Sequence, residues 1–233
     1  MRFAVLGTGI VGRTLAGKLS SLGHEVVIGT RDPAATLARQ ELDAAGNPPI
    51  AGWLAEHPAV RLVPYAEAGA FAEAYVNATS GSGSVPALEA VGAANLAGRI
   101  VIDVANPLDF SQGFPPSLNP VNTDSLAETI QRAFPEARLV KALNTMSAHL
   151  MVNPSALPGP HSVFVSGDDA DAKKTVTDLL VSIGWLAEEV YDLGDVTSAR
   201  GSEMLLPIWL RLYGSLGHAD FNFHIQQAPA RQL

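Results

Sequence analysis

The chain has 233 residues, of which 47% are hydrophobic and 16% charged, a composition that can bury a sizeable core. Fifteen lysines and arginines against 23 aspartates and glutamates give a net charge of −8, which disfavours nucleic acid as a partner. The absence of cysteine excludes disulfide scaffolds, thiolate metal sites and cysteine nucleophiles. No signal-peptide pattern and no apolar run of about 20 residues occur, so we expect a cytoplasmic protein without a membrane segment.

The first thirty residues predict a strand, a glycine turn, a helix and a second strand. Residues 3–6 are a short apolar run, and leucines recur at helical spacing between Ile10 and Leu22. Gly23 ends this helix, and residues 25–28 are the second apolar run. We expect these elements to form a right-handed βαβ unit with parallel strands.

A further helix and an insertion follow this unit. Asp32 and Pro33 are typical of an N-cap and a first helical residue, and leucines extend the predicted helix to Leu42. The prolines and glycines of residues 46–58 predict a loop insertion with one short turn around Trp53. We assign no chemistry to this insertion.

Strands and helices alternate along the remaining chain. This alternation predicts an α/β fold with a doubly wound, mostly parallel sheet of the Rossmann type. We predict strands at residues 60–63, 74–78, 100–104, 138–143 and 162–165, and helices at residues 85–96, 123–134 and 169–183. A long apolar helix at residues 198–216 and a strand-like alternation at residues 221–225 indicate a small C-terminal subdomain. We therefore divide the chain into a Rossmann domain, residues 1–160, and a C-terminal part, residues 161–233, that completes the sheet.

The turn between the first strand and helix matches the fingerprint of dinucleotide-binding proteins. Its first glycine permits a tight turn, its second lets the backbone approach a pyrophosphate, and its third lets helix and strand pack closely. A tight turn without a ligand is the alternative, but a strand before and a helix after the motif favour a nucleotide site. The predicted contacts from this loop are Gly7, Thr8, Gly9, Ile10, Val11 and Gly12.

The end of the second strand indicates which dinucleotide binds. An NAD site typically places an acidic residue there, whereas this chain has Thr30 and Arg31. A hydroxyl and a guanidinium suit a 2′-phosphate, and their charge-assisted bonds favour NADP over NAD by roughly tenfold. Asp32 argues mildly for NAD, but its place before Pro33 fits helix capping. We therefore expect the cofactor to be NADP(H). The alternative is that Arg31 is an ordinary surface residue that binds no ligand.

Three later loops follow predicted strands, and ligands of such sheets bind at the carboxyl ends of the strands. Residues 141–146 end a strand where a nicotinamide ring would meet its redox partner. The other two loops are residues 79–84 and residues 105–108. The alternative for the first is that Ser84 only caps a helix, and for the second that Asn106 and Pro107 only turn the chain. The six histidines show no metal-binding spacing, and no nucleophile elbow indicates a hydrolase. The predicted cofactor contacts from these two loops are Ala78, Thr79, Ser80, Ala105, Asn106 and Pro107.

These motifs resemble the F-420-dependent NADP oxidoreductases, which have a Rossmann domain of the pyrroline-5-carboxylate reductase type. The six-transmembrane ferric reductases carry a similar domain in the cytosol. The resemblance covers most of the chain, although the insertion at residues 46–58 and the bulky Trp209 and Tyr213 depart from the family pattern. The segments that carry it are residues 7–12, 23–26, 29–31, 103–108, 144–146, 167–169, 192–194, 198–200 and 203.

The resemblance implies reversible hydride transfer between NADPH and the deazaflavin coenzyme F-420, a reaction that needs no side-chain nucleophile. It also implies that the protein is a homodimer. It also implies that the second-substrate pocket is floored by Asn144, Thr145, Met146 and Ala148. One alternative is an NADPH-dependent reductase of a flavin, a quinone-like acceptor or a ferric chelate. Another is a non-catalytic protein that senses NADP and exposes an apolar patch at residues 205–212.

Overall fold

The structure is a computed structural model that describes residues 1–42 and 46–228. One large sheet carries helices on both of its faces, and a two-stranded hairpin lies beside it. The strands of the described residues are β1 (Arg2–Leu6), β2 (Glu25–Thr30), β3 (Arg61–Pro64), β4 (Ala74–Asn77), β5 (Ile100–Asp103), β6 (Leu108–Asp109), β7 (Ser117–Leu118), β8 (Arg138–Ala142), β9 (Val163–Ser166) and β10 (Val190–Asp192). The α-helices are α1 (Ile10–Ser21), α2 (Pro33–Leu37), α3 (Ile50–Glu56), α4 (Tyr65–Phe71), α5 (Gly81–Val91), α6 (Ala93–Leu96), α7 (Leu126–Ala133), α8 (Ala148–Val152), α9 (Ala170–Ile183), α10 (Ala199–Glu203) and α11 (Leu206–Leu216).

The strand order of the large sheet is β3-β2-β1-β4-β5-β8-β9-β10. The strands from β3 to β8 are parallel, whereas β9 is antiparallel to β8 and β10 is parallel to β9. The strand order reverses between β1 and β4, and this reversal opens a crevice at the carboxyl ends of those strands. The predicted doubly wound, mostly parallel α/β fold is therefore confirmed.

The sheet separates two apolar cores. On one face α1, α8 and α9 bury residues such as Leu15, Leu150 and Leu180, and on the other face α5 and α7 bury Leu88 and Ile130. Each of these side chains contributes about 1.5–3 kcal/mol by leaving water. Strands β4 and β5 are buried along their whole length, as expected for parallel strands covered on both faces. Among the described residues, no helix is both long and apolar enough to cross a bilayer.

The insertion at residues 46–58 contains a helix, α3, so the predicted loop with one short turn is wrong. The rings of Trp53 and His57 stack with their centroids 3.9 Å apart, and both lie against Gly17 of α1. This packing outweighs the local signal of the surrounding prolines and glycines. Conversely, α2 ends at Leu37 rather than Leu42, because Leu42 is 63% exposed and has no core to pack against.

Two further predicted helices have different bounds. The helix predicted at residues 85–96 begins at Gly81 and is interrupted at Gly92, whose φ of +96° does not fit a helix. The helix predicted at residues 198–216 is divided into α10 and α11, because Pro207 has no N–H to donate to the carbonyl of Glu203. The elements α4, β6, β7, α8 and β10 were not predicted.

Residues 221–225 form no strand, contrary to the prediction from their alternating pattern. They lie beside Ser162, the residue before β9, whose N–H donates to the Phe223 carbonyl at 2.8 Å. The Ile225 N–H turns instead to the Ser162 side chain, at 3.2 Å, so no regular ladder forms. The C-terminal part defined from the sequence ends at residue 233, and its residues 229–233 lie outside the described residues.

A buried ammonium joins the middle of the sheet to the C-terminal helices. Lys141 Nζ lies 2.9 Å from Asp103 Oδ2 and 2.8 Å from Glu203 Oε1, and it donates to the Ala105 carbonyl at 2.5 Å. Glu203 also accepts hydrogen bonds from the first backbone N–H groups of α7. Burial alone would lower the pKa of Lys141, but the two carboxylates outweigh it and hold the pKa above its usual value.

We expect Lys141→Met to destabilise the protein by about 3–5 kcal/mol, because it leaves two buried carboxylates without a cation. Lys174→Met is the matched control, since Lys174 pairs with Asp178 in an exposed contact whose loss costs at most about 0.5 kcal/mol. Urea unfolding measures both variants. A loss for Lys141→Met as small as that of the control would contradict the role of the buried contact.

Candidate functional site

The glycine turn is tightly packed on one side and open on the other. Gly7 has a φ of +119°, and a Cβ there would overlap the Ala78 carbonyl. A Cβ at Gly12 would overlap the Gly7 carbonyl, whereas a Cβ at Gly9 would meet nothing within 4 Å. Gly9 is also the N-cap of α1, and no side chain caps this helix. Its first N–H groups therefore remain available to an anion.

Arg13 supports the turn from outside. This residue is 5% exposed, and its Nε donates to the Thr8 carbonyl at 2.8 Å while Nη1 donates to the Pro48 carbonyl at 2.7 Å. The insertion is thus tied to the glycine turn through one guanidinium. The sequence analysis assigned no role to the insertion, and the structure gives it this supporting one.

A cleft of about 760 Å³ lies at the carboxyl ends of β1, β2 and β4. Its volume is in the range of cofactor and small-molecule sites. Ile10 and Val11 form the first turn of the adjoining α1, and Gly12 lets α1 approach β1. The predicted residues that line the cleft are Gly7, Thr8, Gly9, Thr30, Arg31, Ala78, Thr79 and Ser80.

The two residues predicted for the 2′-phosphate differ in their surroundings. Thr30 is buried, and its hydroxyl lies 3.0 Å from the hydroxyl of Thr36 in α2. Arg31 is exposed and lines the cleft. The Asp32 carboxylate accepts a hydrogen bond from the Ala35 N–H at 3.0 Å, so its predicted capping role is confirmed.

Tyr65 and Arg39 are among the residues of the cleft lining that the sequence analysis did not identify. Tyr65 begins α4 directly after β3, and Arg39 follows α2. Burial raises the pKa of the Tyr65 phenol, and the positive charge of Arg31 offsets part of that rise. The position of Tyr65 at the carboxyl end of a strand was a signal for it, because ligands bind at that edge.

Asn77 at the end of β4 organises the next loop. Its amide donates to Ser84 Oγ at 2.9 Å and to Asp103 Oδ1 at 2.8 Å, and its oxygen accepts from Thr79 Oγ1 at 2.7 Å. Ser84 lies inside α5, whose N-cap is Ser80, so the alternative that Ser84 caps the helix is wrong. Because Asp103 also holds Lys141, this loop is linked to the buried ammonium.

The loops after β5 and β8 are joined by a pair of asparagines. Asn106 Nδ2 donates to the Asn144 carbonyl at 2.8 Å, and Asn144 Nδ2 donates to Asn106 Oδ1 at 3.0 Å. Asn106 therefore does more than turn the chain. A Cβ at Gly81 would overlap the Asn106 carbonyl, so α5 also begins in contact with this pair.

The residues predicted to floor the second-substrate pocket form a tight, buried turn. Leu143 has a φ of +61°, and Asn144, Thr145 and Met146 are at most 6% exposed, while Ala148 is half-buried. Within the described part of the chain, Asn144 Oδ1 and Thr145 Oγ1 find no hydrogen-bond partner. A buried polar atom without a partner costs about 1–3 kcal/mol, and such atoms are typical of sites that a ligand or water completes.

A segment that we call the C-terminal arm, residues 217–228, covers one side of this turn. Ser147 Oγ donates to the Ala219 carbonyl at 2.9 Å, and His149 Nε2 lies 2.8 Å from Asp220 Oδ1. Farther along, Trp209 of α11 packs against Phe221 of the arm with ring centroids 5.3 Å apart. Because residues 221–225 were predicted to form a strand, the sequence analysis did not identify the C-terminal arm as a cover of this turn.

The site therefore combines free helix N–H groups, exposed guanidinium groups and a polar floor at one edge of the sheet. The described residues show no group of histidine and acidic side chains that could hold a metal ion. Such an arrangement suits chemistry in which two bound molecules react with each other and the protein supplies proximity and orientation.

Comparison with known proteins identifies the family. Residues 2–107 match the family of coenzyme F-420-dependent NADP oxidoreductases. A crystal structure of a candidate F-420-dependent NADP reductase from Arthrobacter sp. FB24 is 61% identical, with a TM-score of 0.92 over 97% of this chain and 100% of that chain.

Two other similarities are more distant. The metalloreductase STEAP3 of Rattus norvegicus is 30% identical over 213 residues, which are 89% of this chain but only 38% of that protein's length. A reductive aminase from Aspergillus terreus is 16% identical, with a TM-score of 0.59 over 93% of this chain and 62% of that one, and shares the fold. The fold, the site and the Arthrobacter structure together establish that this chain belongs to the F-420-dependent NADP oxidoreductases and is an NADP-dependent oxidoreductase.

Proposed function

We propose that the protein transfers a hydride between NADP(H) and the deazaflavin coenzyme F-420. The observation that carries this proposal is a packed connection between two parts of the sheet edge. Ser80 and Ser82 line the cleft, and Gly81 between them abuts the carbonyl of Asn106, which is hydrogen-bonded to Asn144 outside the cleft lining. Beside this pair lie Asn144 Oδ1 and Thr145 Oγ1, buried atoms that have no partner among the described residues. A dinucleotide and a second flat ring can meet at that edge, and the family to which the chain belongs supports F-420 as the second molecule.

In this proposal the Rossmann domain of residues 1–160 binds NADP(H), and the C-terminal part completes the sheet and the site. The N–H groups at the start of α1 hold the pyrophosphate, because Gly9 leaves open space there. Arg31 provides positive charge for the 2′-phosphate. The loops at Ala78–Ser80 and Ala105–Pro107 hold the nicotinamide half against the sheet edge.

The second molecule lies over Asn144, Thr145, Met146 and Ala148. Bound NADPH supplies the hydride, and no covalent intermediate with the protein is needed. The protein's part is to orient the two rings and to exclude water. The depth of Thr145, which is 1% exposed, and the cover of the C-terminal arm support that role.

A ferric acceptor is the second candidate, and the 30% identity to metalloreductase STEAP3 favours it over flavins and quinones.

We also propose that the protein is a cytoplasmic homodimer whose redox partner is a small molecule. The apolar side chains that α11 exposes support a subunit contact, since Ile208 is 52%, Tyr213 43% and Leu216 48% exposed.

Mixing the protein with NADPH and oxidised F-420 tests the proposed reaction. We expect the deazaflavin absorbance to bleach with NADPH, and much more slowly with NADH or without protein. Parallel reactions with a flavin, a quinone and a ferric chelate measure the alternatives. An unchanged F-420 spectrum, together with rapid reduction of the ferric chelate, would replace the first proposal by the second.

Substitutions in the glycine turn separate cofactor binding from folding. Gly9→Val is expected to weaken NADPH and NADH binding by about a hundredfold or more, because the side chain fills the space of the pyrophosphate. Its unfolding free energy should change little. Gly12→Ala is the counterpart, and we expect it to destabilise the fold by about 1–3 kcal/mol through overlap with the Gly7 carbonyl. Calorimetric titration and urea unfolding measure both, and a Gly9→Val protein that binds NADPH normally would refute the site.

A further inference from the structure

We infer that Arg39 is a second ligand of the cofactor's 2′-phosphate and acts with Arg31, whereas the Thr30 hydroxyl is not a ligand. This inference rests on the proposed use of NADP(H). It assigns the choice between NADP and NAD to two exposed guanidinium groups on either side of α2.

The first argument is the distribution of arginine partners. Elsewhere in the described residues, ion pairs hold the guanidinium groups of Arg2, Arg61, Arg132, Arg138 and Arg200. Arg31 and Arg39, like Arg99 and Arg211, form no ion pair with any described residue, although acidic residues outnumber basic ones by 23 to 15. Of these four arginines, Arg31 and Arg39 line the cleft. Two guanidinium groups and one carboxylate, that of Asp32, line this cleft, so its lining carries a net positive charge that favours an anion.

The second argument is the position of Arg39. It lines the cleft together with Arg31, and it also lines a neighbouring cavity of about 590 Å³ between the glycine turn and the insertion. Arg39 therefore stands at the boundary of the two spaces, next to Thr36 of α2. Arg31 lies before the first residue of α2 and Arg39 lies beyond its last, so the two guanidinium groups line the cleft from opposite ends of this helix.

The third argument concerns the other polar groups of this wall. The Thr30 hydroxyl is buried against Thr36 at 3.0 Å, and the Asp32 carboxylate is engaged by the Ala35 N–H. Both residues line the cleft, but the Thr30 hydroxyl is already occupied by Thr36, and the Asp32 carboxylate repels a phosphate rather than binding it. A phosphate monoester has three acceptor oxygens and nearly two negative charges, more than one guanidinium satisfies.

The prediction is tested by calorimetric titration of NADPH, NADH, adenosine 2′,5′-bisphosphate and 5′-AMP. We expect Arg39→Ala to weaken binding of the two 2′-phosphorylated molecules by about tenfold or more and to change the other two by less than about twofold. Arg39→Lys should recover part of the loss, because it keeps the charge but not the planar fork. Arg99→Ala removes the same charge from an exposed residue at the opposite, amino edge of the sheet, and should leave all four affinities unchanged.

Several results would overturn the inference. Equal losses of affinity for NADPH and NADH in Arg39→Ala would assign this guanidinium to the pyrophosphate. Unchanged affinities for both molecules would remove it from the site. Thr30→Val with the same selective loss, at an unchanged melting temperature, would restore Thr30 as the ligand. A wild-type protein that binds NADPH and NADH equally would end both this inference and the proposed cofactor. A wild-type preference for NADPH that survives Arg39→Ala would end this inference alone.

Discussion

The buried contact between the Lys141 ammonium and two carboxylates is the constraint on which the site depends. Removing one member of a buried ion pair costs several kcal/mol, so Lys141, Asp103 and Glu203 hold the ends of β5, β8 and α10 together. Glu203 extends this constraint to the first turn of α7, and Asp103 extends it to Asn77 at the end of β4. The loops that follow β4, β5 and β8 are therefore fixed relative to one another before any ligand binds. The hydride transfer that we propose needs that rigidity, because its rate depends on the distance and angle between two bound rings.

The two halves of the site differ in character. Around Asn106 and Asn144 the polar groups are buried, and their hydrogen bonds join one loop to the next. Around α2 the proposed recognition groups are two exposed guanidinium groups that flank a helix of five residues. A buried network suits the reacting end of a cofactor, where position matters most, whereas exposed cations suit the recognition of a phosphate that takes no part in the reaction. The division explains why a substitution near α2 is expected to change selectivity and one near Lys141 to change stability.

The sequence allowed the glycine turn and the parallel sheet to be predicted, because both depend on local patterns. Glycine spacing, a preceding apolar strand and a following helix are visible within the first thirty residues. The partners of Lys141 were not predictable, since Glu203 comes from a helix far along the chain. The helix α3 was missed because Trp53 and His57 are ordered by packing on Gly17, which overrides local proline and glycine signals. Likewise, no local pattern tells whether a threonine at the end of a strand faces a ligand or an adjacent helix.

The most direct test of direct hydride transfer is to follow a label. NADPH carrying deuterium at the transferred position of nicotinamide C4 is mixed with the protein and oxidised F-420 in ordinary water, and the products are analysed by mass spectrometry and NMR. The account predicts that the reduced deazaflavin retains the deuterium, because the two rings react in contact and no exchangeable group of the protein intervenes. Loss of the deuterium to solvent, or a deazaflavin that stays oxidised and unlabelled while NADPH is bound, would contradict it.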